Sequence, residues 1–354
     1  MGSGLSHLPY FYVIASAVLF GLGTPFSKIL INDVSPLTLA GLLYLGASLG
    51  TTLYAVARNV LLKNAKSTAP SLSKKDLPWL AGSIASGGIV GPVCLLFGLA
   101  RLSGYAASLL LNLEGIATAL IAVFIFKESA GRRIWLALAC MTCAGVFLSW
   151  DPGKGRFALT GTLLVLAAMA GWGLDNNLTR KISSSNPVHI TQIKGLAAGI
   201  FSLGLAAALG SKPPAATAVV SALVLGAFSY GISLVLYIKA LREIGAFRAG
   251  VFFSFAPFVA ALVSLLILPD PARWILIPGT LFMIFGVALI VGEKHAHRHR
   301  HERLVHLHVH THRDGHHLHA HSAPFVEPHA HAHEHEELDH VHGHWPDAHH
   351  RHEH

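Results

Sequence analysis

Charge is what this sequence has least of. Of 354 residues only 12% are Asp, Glu, Lys or Arg, while 53% are hydrophobic, and mean hydropathy is +0.54 with a long polar tail included. A soluble domain carries roughly 25% charged residues, so a soluble globular fold is excluded and the composition is that of an all-α polytopic membrane protein. Cysteine is nearly as scarce. Cys94, Cys140 and Cys143 all fall within apolar runs, which excludes a disulfide framework. Cys140 and Cys143 share a helix face and could hold a metal, although small apolar residues pack the same way in membrane helices. No phosphate-cradling glycine loop, hydrolase elbow or triad spacing is present, so neither an ATP-driven pump nor an enzyme is expected. The formal charge of +8 does not point to nucleic acid, because the basic residues sit in short loops and in the tail.

What is present is a series of long apolar runs. Ten of them approach the 20 or so residues that cross a bilayer core of about 30 Å. They lie at 10–31, 37–61, 77–100, 104–126, 132–150, 158–180, 187–209, 217–241, 245–268 and 273–292. The first is too long for a signal-peptide core and reads as a retained helix. Thirteen Lys and Arg fall on one side of the predicted layout (Arg58, Lys63, Lys66, Lys74, Lys75, Lys127, Arg132, Arg133, Arg180, Lys181, Lys239, Arg242 and Arg248) and six on the other. The richer side is predicted to be cytoplasmic and to hold both termini, in a bacterial inner (plasma) membrane.

The run from Gly104 to Glu128 organises the chain. It carries Asn112, Glu114 and Gly115 near its middle, and Gly245–Leu268 repeats its plan about 142 residues later, with Ala256-Pro257 at the corresponding place. Other segments repeat in order: FGLGTPFSKI at 20–29 with WGLDNNLTRKI at 172–182, and LFGLARLSGYAAS at 96–108 with LYIKALREIGAFRAG at 236–250. Five spans per copy is odd, so the second copy must cross in the opposite sense. The predicted fold is therefore two inverted five-helix repeats, 10–150 and 158–292, a plan used by many secondary transporters with substrate held near the midplane. A duplicated scaffold that transports nothing is the bland alternative.

Prolines recur within the spans at Pro25, Pro92 and Pro257, the second preceded by Gly87-Gly88 and Gly91. Each frees a backbone carbonyl that a ligand, water or side chain must satisfy, or else marks a packing kink. Gly46-x-x-x-Gly50 and Gly195-x-x-x-Gly199 predict close helix approach within the monomer, with a homodimer face as the alternative. Glu114 has no cationic partner in view. It is a candidate proton-coupling carboxylate, or a neutral acid bonded to Asn112 or a serine. Asp175, followed by Asn176 and Asn177, is a candidate partner for Lys194 of the next span, which also carries His189, Thr191 and Gln192. The candidate transport path is thus Glu114, Asn112, Asp175, Asn176, Lys194, Pro25, Pro92 and Pro257.

These motifs carry a resemblance. FGLGTPFSK at 20–28, NLEGIATALIAVFIFKE at 112–128 and ALREIGAFRAG at 240–250, in this order and duplication, resemble the EamA-type branch of the drug/metabolite transporter superfamily. The resemblance covers residues 10–292. It implies a ten-helix secondary transporter of amino acids, nucleotide sugars, drugs or similar metabolites, often moving them outward. The chain departs from the pattern at Tyr44, near where many relatives carry Arg, and at LPDPARW, 268–274, which lacks the counterpart of Lys127-Glu128.

From His295 to His354 the composition changes: 23 of 60 residues are histidine, much of it alternating. Apolar residues are too few for a core, so the segment is predicted to be disordered without metal. Imidazole suits zinc, nickel and cobalt. The candidate ligands are His295, His297, His299, His301, His306, His308, His310, His312, His316, His317, His319, His321, His329, His331, His333 and His335. A pH-responsive charge brush and a purification tag are the alternatives, though a tag is usually an unbroken run. Two functions stay open: export of a divalent transition metal (Zn, Ni or Co) fed by a cytoplasmic collecting tail, or export of a small metabolite with a tail that buffers or senses metal. A membrane-tethered metal store is the third possibility.

Overall fold

The computed structural model describes residues 8–61, 72–125, 132–149, 156–182, 185–237, 239–240, 252–269, 274 and 276–291, with 296–301, 304–310, 329–335 and 338–343 in the tail. The chain divides into two compact units, Met1–Glu293 and Lys294–His354.

The described part of the first unit is helical. Helices α1 (Leu8–Leu30) and α2 (Pro36–Leu61) are followed by α3 (Leu77–Ser83), a π-helical segment (Ile84–Val90) and α4 (Gly91–Leu99), which continue one another. Then come α5 (Gly104–Leu110), α6 (Leu113–Phe124), α7 (Arg132–Ser149), α8 (Arg156–Lys181) and α9 (Pro187–Ala208). Helix α10 (Ala216–Gly226) runs into a second π segment (Ala227–Ile232), and α11 (Ala256–Ile267) and α12 (Leu276–Val291) complete the unit. Each of the ten predicted spans contains helix. Five stretches, Tyr10–Leu30, Pro36–Arg58, Lys74–Leu99, Pro187–Ala208 and Ala216–Tyr237, are long and apolar enough to cross a membrane. The helix ends are set locally. Ser103 caps α5 by accepting from the Ala106 amide at 3.2 Å, and Asn186 caps α9 by accepting from Val188 at 3.0 Å. Gly210, at φ +73°, closes α9, with the Ser211 amide donating back to the Ala206 carbonyl at 2.9 Å.

The irregularities repeat as the sequence does. The π segments begin at Ile84 and Ala227, 143 residues apart. Helix gives way to a turn at 111–112 between α5 and α6, and again at 254–255 before α11, also 143 residues apart. Pro257 stands in the first turn of α11, where a missing N–H leaves no bond unmade, whereas Pro92 follows directly on the π segment, where its missing N–H leaves the Gly87 carbonyl, five residues back, open to other donors. Pro25 lies inside α1, which runs through it without interruption.

The halves interleave. Helix α1 lies along α11, and its counterpart α8 lies along α6, so the first helix of each half meets the fourth span of the other. Helix α2 lies along α9 and the second π segment, while α9 touches the first, and α7 pairs with α12. Lipid removes most of the hydrophobic drive for such contacts, which leaves close packing of small residues to hold them. Gly46 and Gly50 lie against Leu223 and Ala227, and Gly195 and Gly199 against Tyr44 and Leu45, all within the chain. At Gly46 an added Cβ would sit 2.2 Å from the Leu223 carbonyl oxygen, whereas at Gly204 it would meet nothing within 4 Å. Gly46→Ala is therefore expected to lower stability by about 1–3 kcal/mol through overpacking. Gly204→Ala should leave the melting midpoint in detergent unchanged or slightly raised, and equal midpoints for the two variants would refute the close approach.

The second unit, Lys294–His354, is the tail. Its described residues form β1 (Ala296–His301), β2 (Leu304–His310), β3 (His329–His335) and β4 (Leu338–Gly343), with β1 antiparallel to β4 and β2 to β3. Composition excludes a core here, but histidine alternating with another residue has the period of a strand. Antiparallel pairing then satisfies backbone groups without one.

Candidate functional site

The site grows from the two places where helical hydrogen bonding fails in the first half. The π segment of Ile84–Val90 exposes the Gly87 carbonyl, and two side chains from other spans donate to it: Tyr44 Oη at 2.6 Å and Trp172 Nε1 at 3.0 Å. The break before α6 is patched by Asn112, buried, whose Nδ2 donates to the Leu109 carbonyl at 3.2 Å. Asn112 therefore serves its own backbone rather than Glu114.

The partner of Glu114 comes from the other half. Asn176 Nδ2 on α8 donates to Glu114 Oε1 at 2.9 Å and to Thr118 Oγ1 at 3.2 Å. The neighbouring Asn177 fastens the same helices by donating to the Thr118 carbonyl at 3.2 Å. Asn176 and Gly115 are exposed and Glu114 is half-buried, while Asn112, Leu113 and Ile116 around them are buried. An added Cβ on Gly115 would meet nothing within 4 Å. A carboxylate at mid-span is too costly to leave unpartnered in hydrocarbon, and Asn176 is the polar group that meets it here.

Rings extend from the carboxylate–amide pair. Trp172 is one helical turn before Asn176, on the same face of α8. It meets Phe20 edge-on at 6.4 Å, and Phe20 contacts Tyr230 at 5.8 Å and Phe253 at 5.3 Å. Tyr44 meets Tyr230 at 5.9 Å, and Tyr237 meets Phe253 at 4.7 Å. Phe20 and Trp172 begin the two repeated segments, so the internal duplication brings its own counterparts face to face.

Asp175 and Lys194 form an ion pair, their side chains 11% and 15% exposed. Ser83 Oγ and Thr179 Oγ1 both donate to Asp175 Oδ1, the latter at 2.9 Å. The carboxylate rests on Gly87, where an added Cβ would lie 2.0 Å from Oδ2. The pair thus joins α8 and α9 to the first half at the same glycine that receives Tyr44 and Trp172. Ser83, Thr179, Gly87 and the rings join this cluster without having been among the candidate path residues; the Gly87-Gly88 run and Tyr44 were their visible signals in the sequence. His189 is exposed at the start of α9 and does not join the cluster. Cys140 is buried and Cys143 exposed, and both are free.

Comparison with known proteins fits this geometry. The model of the EamA-like transporter family matches residues 7–150 and 159–292, one match to each half. The chain belongs to the EamA-like transporter family. It is 26% identical over 274 residues to a protein of Methanothermobacter thermautotrophicus (strain Delta H) described as an uncharacterized transporter, covering 74% of this chain and 80% of that one. It is also 22% identical over 303 residues to the uncharacterized transporter YetK of Bacillus subtilis (strain 168), covering 83% of this chain and 88% of the relative. A solved structure described as a crystal structure of protein superposes with a TM-score of 0.58 at 16% identity, covering 79% of this chain and 95% of that one, a likeness of fold. An EamA-like transporter is an integral multi-pass membrane protein.

Among the described residues no group of three His, Cys, Asp or Glu gathers as a metal site. Of the tail histidines, His295, His312, His316, His317, His319 and His321 lie outside the described residues, as do Lys127, Glu128, Asp270 and most of the 240–250 turn. The other ten candidate ligands fall on three of the four strands: His297, His299 and His301 on β1, His306, His308 and His310 on β2, and His329, His331, His333 and His335 on β3.

Proposed function

We propose that this EamA-like transporter is a secondary carrier for a small organic solute bearing an ammonium group and an apolar or aromatic body. The observation that carries this is the open Glu114–Asn176 pair at mid-span, one helical turn from the ring of Trp172. A carboxylate receives an ammonium group, and aromatic faces attract the same cation and the solute's apolar part. The second carboxylate, Asp175, is already engaged by Lys194. A transition-metal path through the membrane would ask for imidazole or thiolate, so the donor chemistry at Glu114 favours the organic solute over the bare ion. The tail's role in this reading is to bind divalent zinc, nickel or cobalt as a buffer or sensor, on the cytoplasmic side with both termini.

Proteoliposomes holding the full chain test this when offered a panel of small organic amines and, separately, zinc, nickel and cobalt. Saturable counterflow of at least one amine is the expected result. Saturable metal flux with no amine exchanged would overturn the proposal and favour a metal exporter.

A further inference from the structure

The tail's histidines are arranged by strand pairing. In the β2·β3 ladder His306 stands opposite His333, His308 opposite His331 and His310 opposite His329. Directly opposed residues of an antiparallel pair share a face, and so do residues two apart on one strand. These six therefore occupy one face of the ribbon as three rungs. The intervening positions, Val305, Leu307 and Val309 against Glu334, Ala332 and Ala330, fall on the other face, which offers Glu334 alone as a ligand. The β1·β4 ladder repeats the device, with His297 opposite His342 and His299 opposite His340. In both ladders the partner of residue i is residue 639 − i, since Ala296 pairs with Gly343 and Leu304 with His335, so one hairpin register runs through both.

We infer that the tail's metal sites are rungs of this antiparallel ribbon, each ion held between histidines that stand directly opposite across the strands. The inference rests on the reading that the tail binds divalent transition metal, and adds where and how. Opposed Cβ atoms lie about 4.5–5.5 Å apart, a span that two imidazoles close around an ion at about 2.0–2.1 Å from each nitrogen. Neighbours two apart on one strand are separated by about 6.8 Å, which makes the rung the tighter chelate. A two-stranded ribbon without a core is marginal in water. An ion joining the strands fixes the register, so metal binding and ribbon formation are one equilibrium. The rungs also recruit His340 and His342, which spacing along the sequence did not single out.

Two variants of identical composition separate this from a tail that binds through any nearby histidines. His306→Ala/His333→Ala removes one whole rung and leaves two intact. His306→Ala/His329→Ala also removes one histidine from each strand, but breaks two rungs and leaves one. Nickel is titrated calorimetrically into each full-length protein in detergent micelles. The staggered variant is expected to retain about half as many tight nickel equivalents in this ladder as the rung variant, because a broken rung loses its intramolecular second ligand. Identical titrations of the two variants would overturn the ladder while leaving the tail a metal binder. Absence of saturable nickel binding by the unaltered chain would overturn both the ladder and the reading beneath it.

Discussion

Asp175→Ala should lower the melting midpoint of the detergent-solubilised protein sharply, and adding Lys194→Met should restore most of the loss. Removing the carboxylate leaves the Lys194 ammonium 15% exposed with its ion-pair partner gone. Breaking one side of a buried pair costs about 3–5 kcal/mol, whereas replacing both sides with well-packed apolar groups is often neutral or stabilising. The single variant also strips the shared acceptor from Ser83 and Thr179; because these hydroxyls lie 3.0 Å apart and one can donate to the other, a single unmade bond of about 1–3 kcal/mol is added. That second part persists in the double variant, so recovery should be large but incomplete. A double variant melting as low as the single one would show that the ion pair is not what Asp175 contributes. The same proteins separate architecture from transport: a folded double variant that still exchanges solute makes the pair a strut between the halves. One that is folded and inactive puts the pair in the path.

The membrane plan was legible because it follows from crude quantities. Apolar runs give the spans, an odd number of spans per copy inverts the repeat, and the alignment of FGLGTPFSKI with WGLDNNLTRKI places the halves in register. The meeting of Asp175 and Lys194 was legible for a similar reason, since both belong to successive antiparallel helices and fall near the same end. The partner of Glu114 was not. Asn112 stands two residues away, but at the break before α6 its side chain folds back on the Leu109 carbonyl, beside its own backbone amide, and does not reach Glu114. Asn176 reaches Glu114 only because α8 crosses α6, a contact between halves that no local spacing encodes. The role of Gly87 was hidden likewise. A glycine pair signals freedom of backbone or space, but not that a π segment will turn one carbonyl toward Tyr44 and Trp172.

In the tail, alternation of histidine carries the two-residue repeat of a strand, while the poverty of apolar residues argues against order without metal. Both statements hold, because an isolated ribbon is marginal without something to join its strands.

Glu114→Gln should cut solute exchange roughly 10- to 100-fold while leaving the melting midpoint where it was. Glutamine keeps the volume of the side chain and an Oε1 that can still accept from Asn176, so the fastening of α6 to α8 survives. What it removes is the negative charge. A hydrogen bond to a charged group contributes about 1.5–3 kcal/mol, which sets the size of the loss for a bound ammonium group and abolishes any proton exchange at that carboxylate. Asn112→Leu should behave in the reverse way. It leaves Glu114 untouched but removes the Nδ2 bond that reinforces the break before α6, leaving the Leu109 carbonyl only the backbone amide of residue 112 at 3.1 Å, so the midpoint should fall first, with exchange declining only as folded protein is lost. The contrast matters because these residues lie two apart in one apolar stretch and both read as candidate transport residues. If Glu114→Gln lowered the midpoint as much as Asn112→Leu while the surviving folded protein exchanged solute at the unaltered rate, the carboxylate would be a structural tie across the halves. The ammonium-binding proposal would then fail at its central residue.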